Sequence, residues 1–70
     1  EEAYVMLGGS SLEAQYIIFD IQGNILLDRK VQLELENRKI PIDMSSLAGG
    51  NYFIKIKTSQ NEETIKFIRR

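Results

Sequence analysis

Histidine, cysteine and tryptophan are missing from this sequence, and proline occurs once, at Pro41. Without cysteine there is no disulfide framework and no thiolate metal site. Without histidine the commonest general base and the commonest zinc ligand are gone. The lack of cysteine assigns no compartment, because secreted bacterial domains also do without disulfides. Charge of one sign is not in excess: nine Lys and Arg against ten Asp and Glu leave a formal net charge of -1, without the basic surplus that nucleic acid or anionic membranes attract. No apolar run approaches the roughly 20 residues of a membrane-spanning helix. Glu1 and Glu2 are the opposite of a basic signal-peptide start, and the first residue is not Met, so the chain reads as cut from a longer precursor. Length is scarce too. Seventy residues limit the chain to one domain, 1–70, which buries roughly 60% of its unfolded surface and has little room for a cleft.

What is present is enough to fold, with 43% hydrophobic and 27% charged residues. Short β-branched and aromatic runs are broken every 8 to 12 residues or so by Gly, Asn, Ser or Asp, the rhythm of an all-β, immunoglobulin-like antiparallel sandwich. About six to seven strands are expected on that pattern. Ala3 to Leu7 is the first, closed by Gly8-Gly9. Ser10 and Glu13 have the spacing of a capping box, which admits a single helical turn before the chain extends again, but so short a segment favours extended chain. Gln15 to Ile21 is a strong strand, with Ile17, Phe19 and Ile21 on one face, assigned to the core, and Tyr16, Ile18 and Asp20 on the other. Gln22-Gly23-Asn24 turns it into Ile25 to Leu35, which is expected to bend or change partner midway. Ile40 and Ile42 alternate with Lys39 and Pro41 in a strand that Pro41 places at an edge. Met44 to Gly50 is a corner. Asn51 to Thr58 follows, with Tyr52, Ile54 and Ile56 inward and Lys55 and Lys57 outward, where lysines discourage edge-to-edge pairing. Glu63 to Arg69 is the last strand, with Ile65 and Phe67 inward.

Little in this list can do chemistry. The acidic residues fall on outward strand positions or turns, Asp20, Asp28 and Asp43 lack the spacing of a calcium loop, and neither Gly8-Gly9 nor Gly49-Gly50 opens a phosphate loop. No cofactor motif is present and no activated base is available, so an enzyme is not expected. Of the aromatics, Phe19, Tyr52 and Phe67 are assigned to the core, which leaves Tyr4, Tyr16 and Phe53 as the only candidates for a stacking platform.

Three segments together carry a resemblance. The run Ile42-Asp43-Met44-Ser45-Ser46-Leu47-Ala48-Gly49-Gly50-Asn51-Tyr52-Phe53-Ile54-Lys55-Ile56 has Asp43 or Ser45 placed to bond turn amides, Leu47 placed to plug the core, Gly50 for a tight entry and Tyr52 to anchor the corner through its hydroxyl. Ile18-Phe19-Asp20-Ile21-Gln22-Gly23-Asn24-Ile25-Leu26 is a strand, an Asp, a Gly-containing turn and a returning apolar strand. Lys66-Phe67-Ile68-Arg69-Arg70 closes the chain on basic residues. In that order and spacing they resemble the C-terminal sorting domains of the bacterial type IX (Por) secretion system, type A, over Gln15 to Arg70. The Pro-Asn-Pro-like element that usually opens such domains is not found in residues 1–14.

The resemblance implies an address rather than a chemistry. It implies a covalently linked upstream cargo exported through the periplasm to the cell surface or medium of a Gram-negative, Bacteroidota-type bacterium. The implied partners are the type IX translocon, an outer-membrane shuttle barrel and a surface sortase that removes the domain. Recognition is expected at Lys66, Phe67, Ile68, Arg69 and Arg70, with Asp20, Gly23, Asp43, Leu47, Gly50 and Tyr52 as the structural motif. The competing reading is an immunoglobulin-like module for adhesion or carbohydrate binding, using Tyr4 or Phe53. An exposed last strand also leaves a strand-exchanged dimer open for the isolated domain.

Overall fold

The computed structural model describes residues 3–70; Glu1 and Glu2, read above as unlike a signal-peptide start, lie outside the described residues. Six strands follow one another with no helix among the described residues: β1 (Ala3–Met6), β2 (Glu13–Asp20), β3 (Ile25–Gln32), β4 (Lys39–Ile42), β5 (Gly50–Lys57) and β6 (Glu62–Arg69). They form a two-stranded sheet, β1-β4, and a four-stranded sheet in the order β3-β2-β5-β6, every pairing antiparallel. The architecture is the β-sandwich that the spacing of the apolar runs predicts.

The core lies between the sheets. From the larger sheet come Ala14, Tyr16 and Ile18 of β2 and Tyr52, Ile54 and Ile56 of β5; from the smaller come Ile40 and Ile42 of β4. Leu7, Leu33, Met44 and Leu47 close the ends, and Val5, Leu27, Val31, Ile65 and Phe67 pack around the margin. Ile18, Ile40 and Ile56 are fully buried.

The face assigned to β2 from its sequence is reversed in the structure. Tyr16 and Ile18 point inward at 3% and 0% exposure, whereas Ile21 is 68% exposed and Ile17 and Phe19 are half-buried on the outer surface. The cause is the register with β5, in which Tyr16 pairs Ile56, Ile18 pairs Ile54, and Ile17 pairs Lys55. Directly paired residues share a face, so the unambiguous alternation of β5 decides which half of the doubly apolar β2 is buried. Tyr16 is accordingly no surface aromatic, and Phe19 is no core residue.

The structure also settles two local segments. Ser10 to Ala14 forms no helical turn: Glu13 already begins β2, and the Ser10 amide is held by Gln60 Oε1 at 3.3 Å across the sandwich end. β3 ends at Gln32 rather than running to Leu35. There the chain leaves the sheet, with the Leu33 amide bonded to the Leu12 carbonyl at 2.7 Å, and Leu33 turns into the core while Leu35 stays exposed. Pro41 sits where a missing donor costs least, in a four-residue strand that pairs only with β1.

The face assignment has a direct check. Ile18→Ala should cost about 3 kcal/mol in urea denaturation, as a large-to-small change in a filled core does. Ile21→Ser, on the outer surface, should stay within about 0.5 kcal/mol.

Candidate functional site

Asp20 and Gly23 build the β2–β3 turn. The Asp20 carboxylate accepts from the amides of Gln22 and Asn24, each at 2.9 Å, and from the Asn24 side chain at 3.0 Å. Its main-chain carbonyl accepts from the Gly23 amide at 3.0 Å. Gly23 takes φ 91°, in the left-handed region that a side chain would strain. The Asn24 side chain first, and then the turn amides, hold the Asp20 carboxyl below its ordinary value.

The second segment forms the corner between β4 and β5. The Asp43 carboxylate accepts from the Ser45 hydroxyl at 2.6 Å and the Ser45 amide at 3.0 Å, which lowers its pKa in that order of importance. The Leu47 amide donates to the Met44 carbonyl at 3.1 Å, and both side chains enter the core. The Tyr52 hydroxyl donates to the Ala48 carbonyl at 2.6 Å, which closes the corner as its spacing predicts. Gly50 adopts φ 154°, and a Cβ there would lie 3.9 Å from the Tyr52 ring.

The third segment is fastened to that corner. Arg69 Nε donates to the Leu47 carbonyl at 2.8 Å, and Phe67 stacks on Tyr52 with centroids 5.5 Å apart. Asp20 pairs Tyr52 and Tyr52 pairs Phe67, so three segments scattered along the sequence meet in one row across β2, β5 and β6. The five residues at the end of the chain divide between two sides. Phe67 and Arg69 are half-buried and anchored, whereas Lys66, Ile68 and Arg70 are exposed.

β6 is an edge strand of a particular kind. Its eight residues pair with β5 in an unbroken register from Glu62–Lys57 to Arg69–Gly50, with neither bulge nor proline. The opposite edge, β3, carries Asp28-Arg29-Lys30 and a register break against β2 at Ile18/Phe19, and β4 carries Pro41. Bulges and prolines blunt an edge against pairing, and β6, although it carries Glu62, Glu63, Lys66 and Arg69, is the longest edge strand among the described residues with neither.

A feature missed from the sequence lies on the outer surface of the same sheet. Phe19 and Phe53 stack at 5.4 Å with ring planes 19° apart, and the register sets Ile25 beside Phe19 and Lys66 beside Phe53. Placing Phe19 in the core hid this pair; the signal that reveals it is the pairing with β5. The remaining surface aromatic, Tyr4, lies in the other sheet with Lys39 Nζ 4.7 Å above its ring. Among the described residues, no group of acidic side chains converges in a way that would hold a metal ion.

Two outcomes follow from this geometry. Tyr52→Phe should lower stability by about 1 kcal/mol in denaturant titration, the usual worth of one hydrogen bond, since the ring remains while the Ala48 carbonyl loses its donor. Because the Asp20 carboxyl is lowered on folding, its contribution is complete above the unfolded-state value and is lost as pH falls through that value toward the lowered one. Asp20→Asn should therefore be less stable at neutral pH and show a shallower loss of Tm on acidification, read by thermal melts across the acid range.

Comparison with curated proteins and with solved structures gives no significant match. A family profile described as the secretion system C-terminal sorting domain matches residues 2–70, so the likeness extends through β1 as well as the segments from Gln15 onward. The match covers nearly the whole chain, and the chain is a member of the secretion system C-terminal sorting domain family, the sorting signals of type IX secretion that mark proteins for export toward the cell surface or extracellular space of Bacteroidota.

Proposed function

We propose that residues 1–70 act as one non-catalytic sorting domain whose β6 edge is read by the type IX machinery. The observation that carries this reading is the eight-residue edge of β6, unbroken by bulge or proline. An edge strand offers a row of backbone donors and acceptors to which a partner strand can add, and side chains at alternate positions supply selectivity. Lys66, Ile68 and Arg70 face the partner, while Phe67 and Arg69 position the strand through Tyr52 and the Leu47 carbonyl. The basic end adds charge selectivity to the backbone ladder.

In this reading the covalently attached upstream cargo crosses the outer membrane folded, the translocon and an outer-membrane shuttle barrel bind the domain in turn, and a surface sortase removes it. The adhesion or carbohydrate-binding alternative receives less support. Its two aromatics, Tyr4 and Phe53, lie on β1 and β5 in different sheets and make no common platform.

The test is export of a fluorescent reporter fused to residues 1–70, compared between a strain with an intact type IX apparatus and one lacking its translocon. Export only in the intact strain is expected. Ile68→Asp and Lys66→Glu should reduce it several-fold with little change in Tm, and deletion of Lys66 to Arg70 should abolish it. Equal export in both strains would overturn the sorting role, and full export by the folded edge variants would overturn the assignment to β6.

A further inference from the structure

Along β3 the positions that face the smaller sheet are Leu27, Arg29 and Val31, because the register pairs them with Ile18, Tyr16 and Ala14, all of them buried. A guanidinium thus occupies a place in the alternation that belongs to a core residue. Since β3 is an edge strand, Arg29 stands at the open side of the sandwich, where it lines a groove of ≈ 630 Å³ walled by residues of β3 and β4.

The charge in this groove is not compensated. Neither Arg29 nor Lys30 makes a hydrogen bond or ion pair among the described residues. Lys39, a third cation of the lining, rests on a ring face instead of a carboxylate, with Nζ 4.7 Å above Tyr4. The one carboxylate in the lining, Asp43, is engaged elsewhere: the Ser45 hydroxyl and amide both donate to its Oδ1 and do most to lower its pKa, with Arg29 the last of the influences. Three cations therefore meet one occupied carboxylate, on a chain whose net charge is -1.

Two neutral donors are unspent in the same place. The Tyr16 hydroxyl belongs to a side chain that is 3% exposed; it accepts from the Asp43 amide at 3.4 Å, and nothing among the described residues accepts its proton. Buried hydroxyls ordinarily place that proton on an acceptor. Asn37 Oδ1 accepts from the Lys39 amide at 3.2 Å, which leaves the Nδ2 protons to donate. Donors without acceptors, beside cations without anions, call for an oxygen-rich anion. A carboxylate brings one charge and two oxygens, whereas a phosphate monoester brings about -1.5 to -2 and three acceptor oxygens, which suits the charge surplus better. Tyr4, Pro41 and Ile42 offer an apolar wall to whatever organic group the phosphate carries.

We propose that the groove between β3 and β4 binds a phosphate monoester, with Arg29 as a bidentate clamp on the phosphate, the Tyr16 hydroxyl and Asn37 Nδ2 as neutral donors, and Lys39 closing the charge. The site lies on the edge of the sheet opposite β6 and does not rest on the sorting role. The same phosphate chemistry occurs on soluble esters and on lipid headgroups, and the experiment separates the two.

Titration of isotope-labelled residues 1–70 with phenyl phosphate at neutral pH, followed by amide chemical shifts, is the test. Saturable binding with a Kd on the order of 1 mM, the weak end of the affinity scale, is expected, with shifts centred on Arg29, Asn37, Lys39 and Asp43. Arg29→Gln should raise Kd about tenfold or more and Tyr16→Phe about fivefold, the worth of a charge-assisted and of a neutral hydrogen bond. Both variants should keep their Tm close to that of the parent chain, and Lys57→Gln, outside the groove, should leave Kd unchanged. Benzoate, a carboxylate on the same ring, should bind about tenfold more weakly. Vesicles of phosphatidylcholine with and without phosphatidic acid form the lipid arm. Saturable binding in either arm that Arg29→Gln removes supports the site, and the arm in which it occurs gives the source of the phosphate. No saturation by phenyl phosphate up to ~20 mM together with no binding to phosphatidic acid vesicles would overturn the proposal. Equal affinity for benzoate, or binding indifferent to Arg29→Gln, would overturn it as well. Unimpaired reporter export by Arg29→Gln would leave the sorting role standing whichever way the titration falls.

Discussion

The alternation of β5 is the constraint on which the other strands depend. Tyr52, Ile54 and Ile56 are buried while Lys55 and Lys57 face outward, whereas β2 carries apolar side chains at Ile17 and Phe19 on its outer face as well. As the strand with a neighbour on each side nearest the carboxyl end, β5 dictates the faces of both β2 and β6 through register. A slip of one residue in either pairing would bring a lysine into line with the core, at a cost that a sandwich of this size cannot absorb.

The corner that starts β5 extends that control to the end of the chain. Tyr52 closes it by donating to the Ala48 carbonyl, Leu47 plugs the core beside it, and the Leu47 carbonyl in turn accepts from Arg69. A single small region thus fixes where β5 begins and where β6 ends. Phe67 and Arg69 fasten β6 to this region, while Lys66 and Ile68 stay outside.

Much of this was legible in the sequence. β5, the corner, the Gly23 turn, the edge position of Pro41 and the inward set Ile65 and Phe67 all carry local signals: strict alternation, turn residues at fixed offsets, or a missing donor. β2 was not legible by itself, because Tyr16-Ile17-Ile18-Phe19 is apolar on both faces and period-two reasoning has nothing to choose between. The choice is made by Lys55 and Lys57, some forty residues away in sequence. The Phe19–Phe53 pair was lost with it. The capping-box spacing at Ser10 and Glu13 starts no helical turn for a related reason, since pairing of Glu13 with Gln32 outweighs the propensity of so short a segment.

The division of the strands between two sheets has a mechanical side. Among the described residues, β1 is held by four residue pairs with β4, whereas β6 is held by eight with β5 in the other sheet. Tension entering from the amino-terminal side therefore meets the shortest ladder first. β1 can peel from β4 while the β3-β2-β5-β6 ladder still holds, so the molecule yields at the end facing the load and keeps its grip at the other.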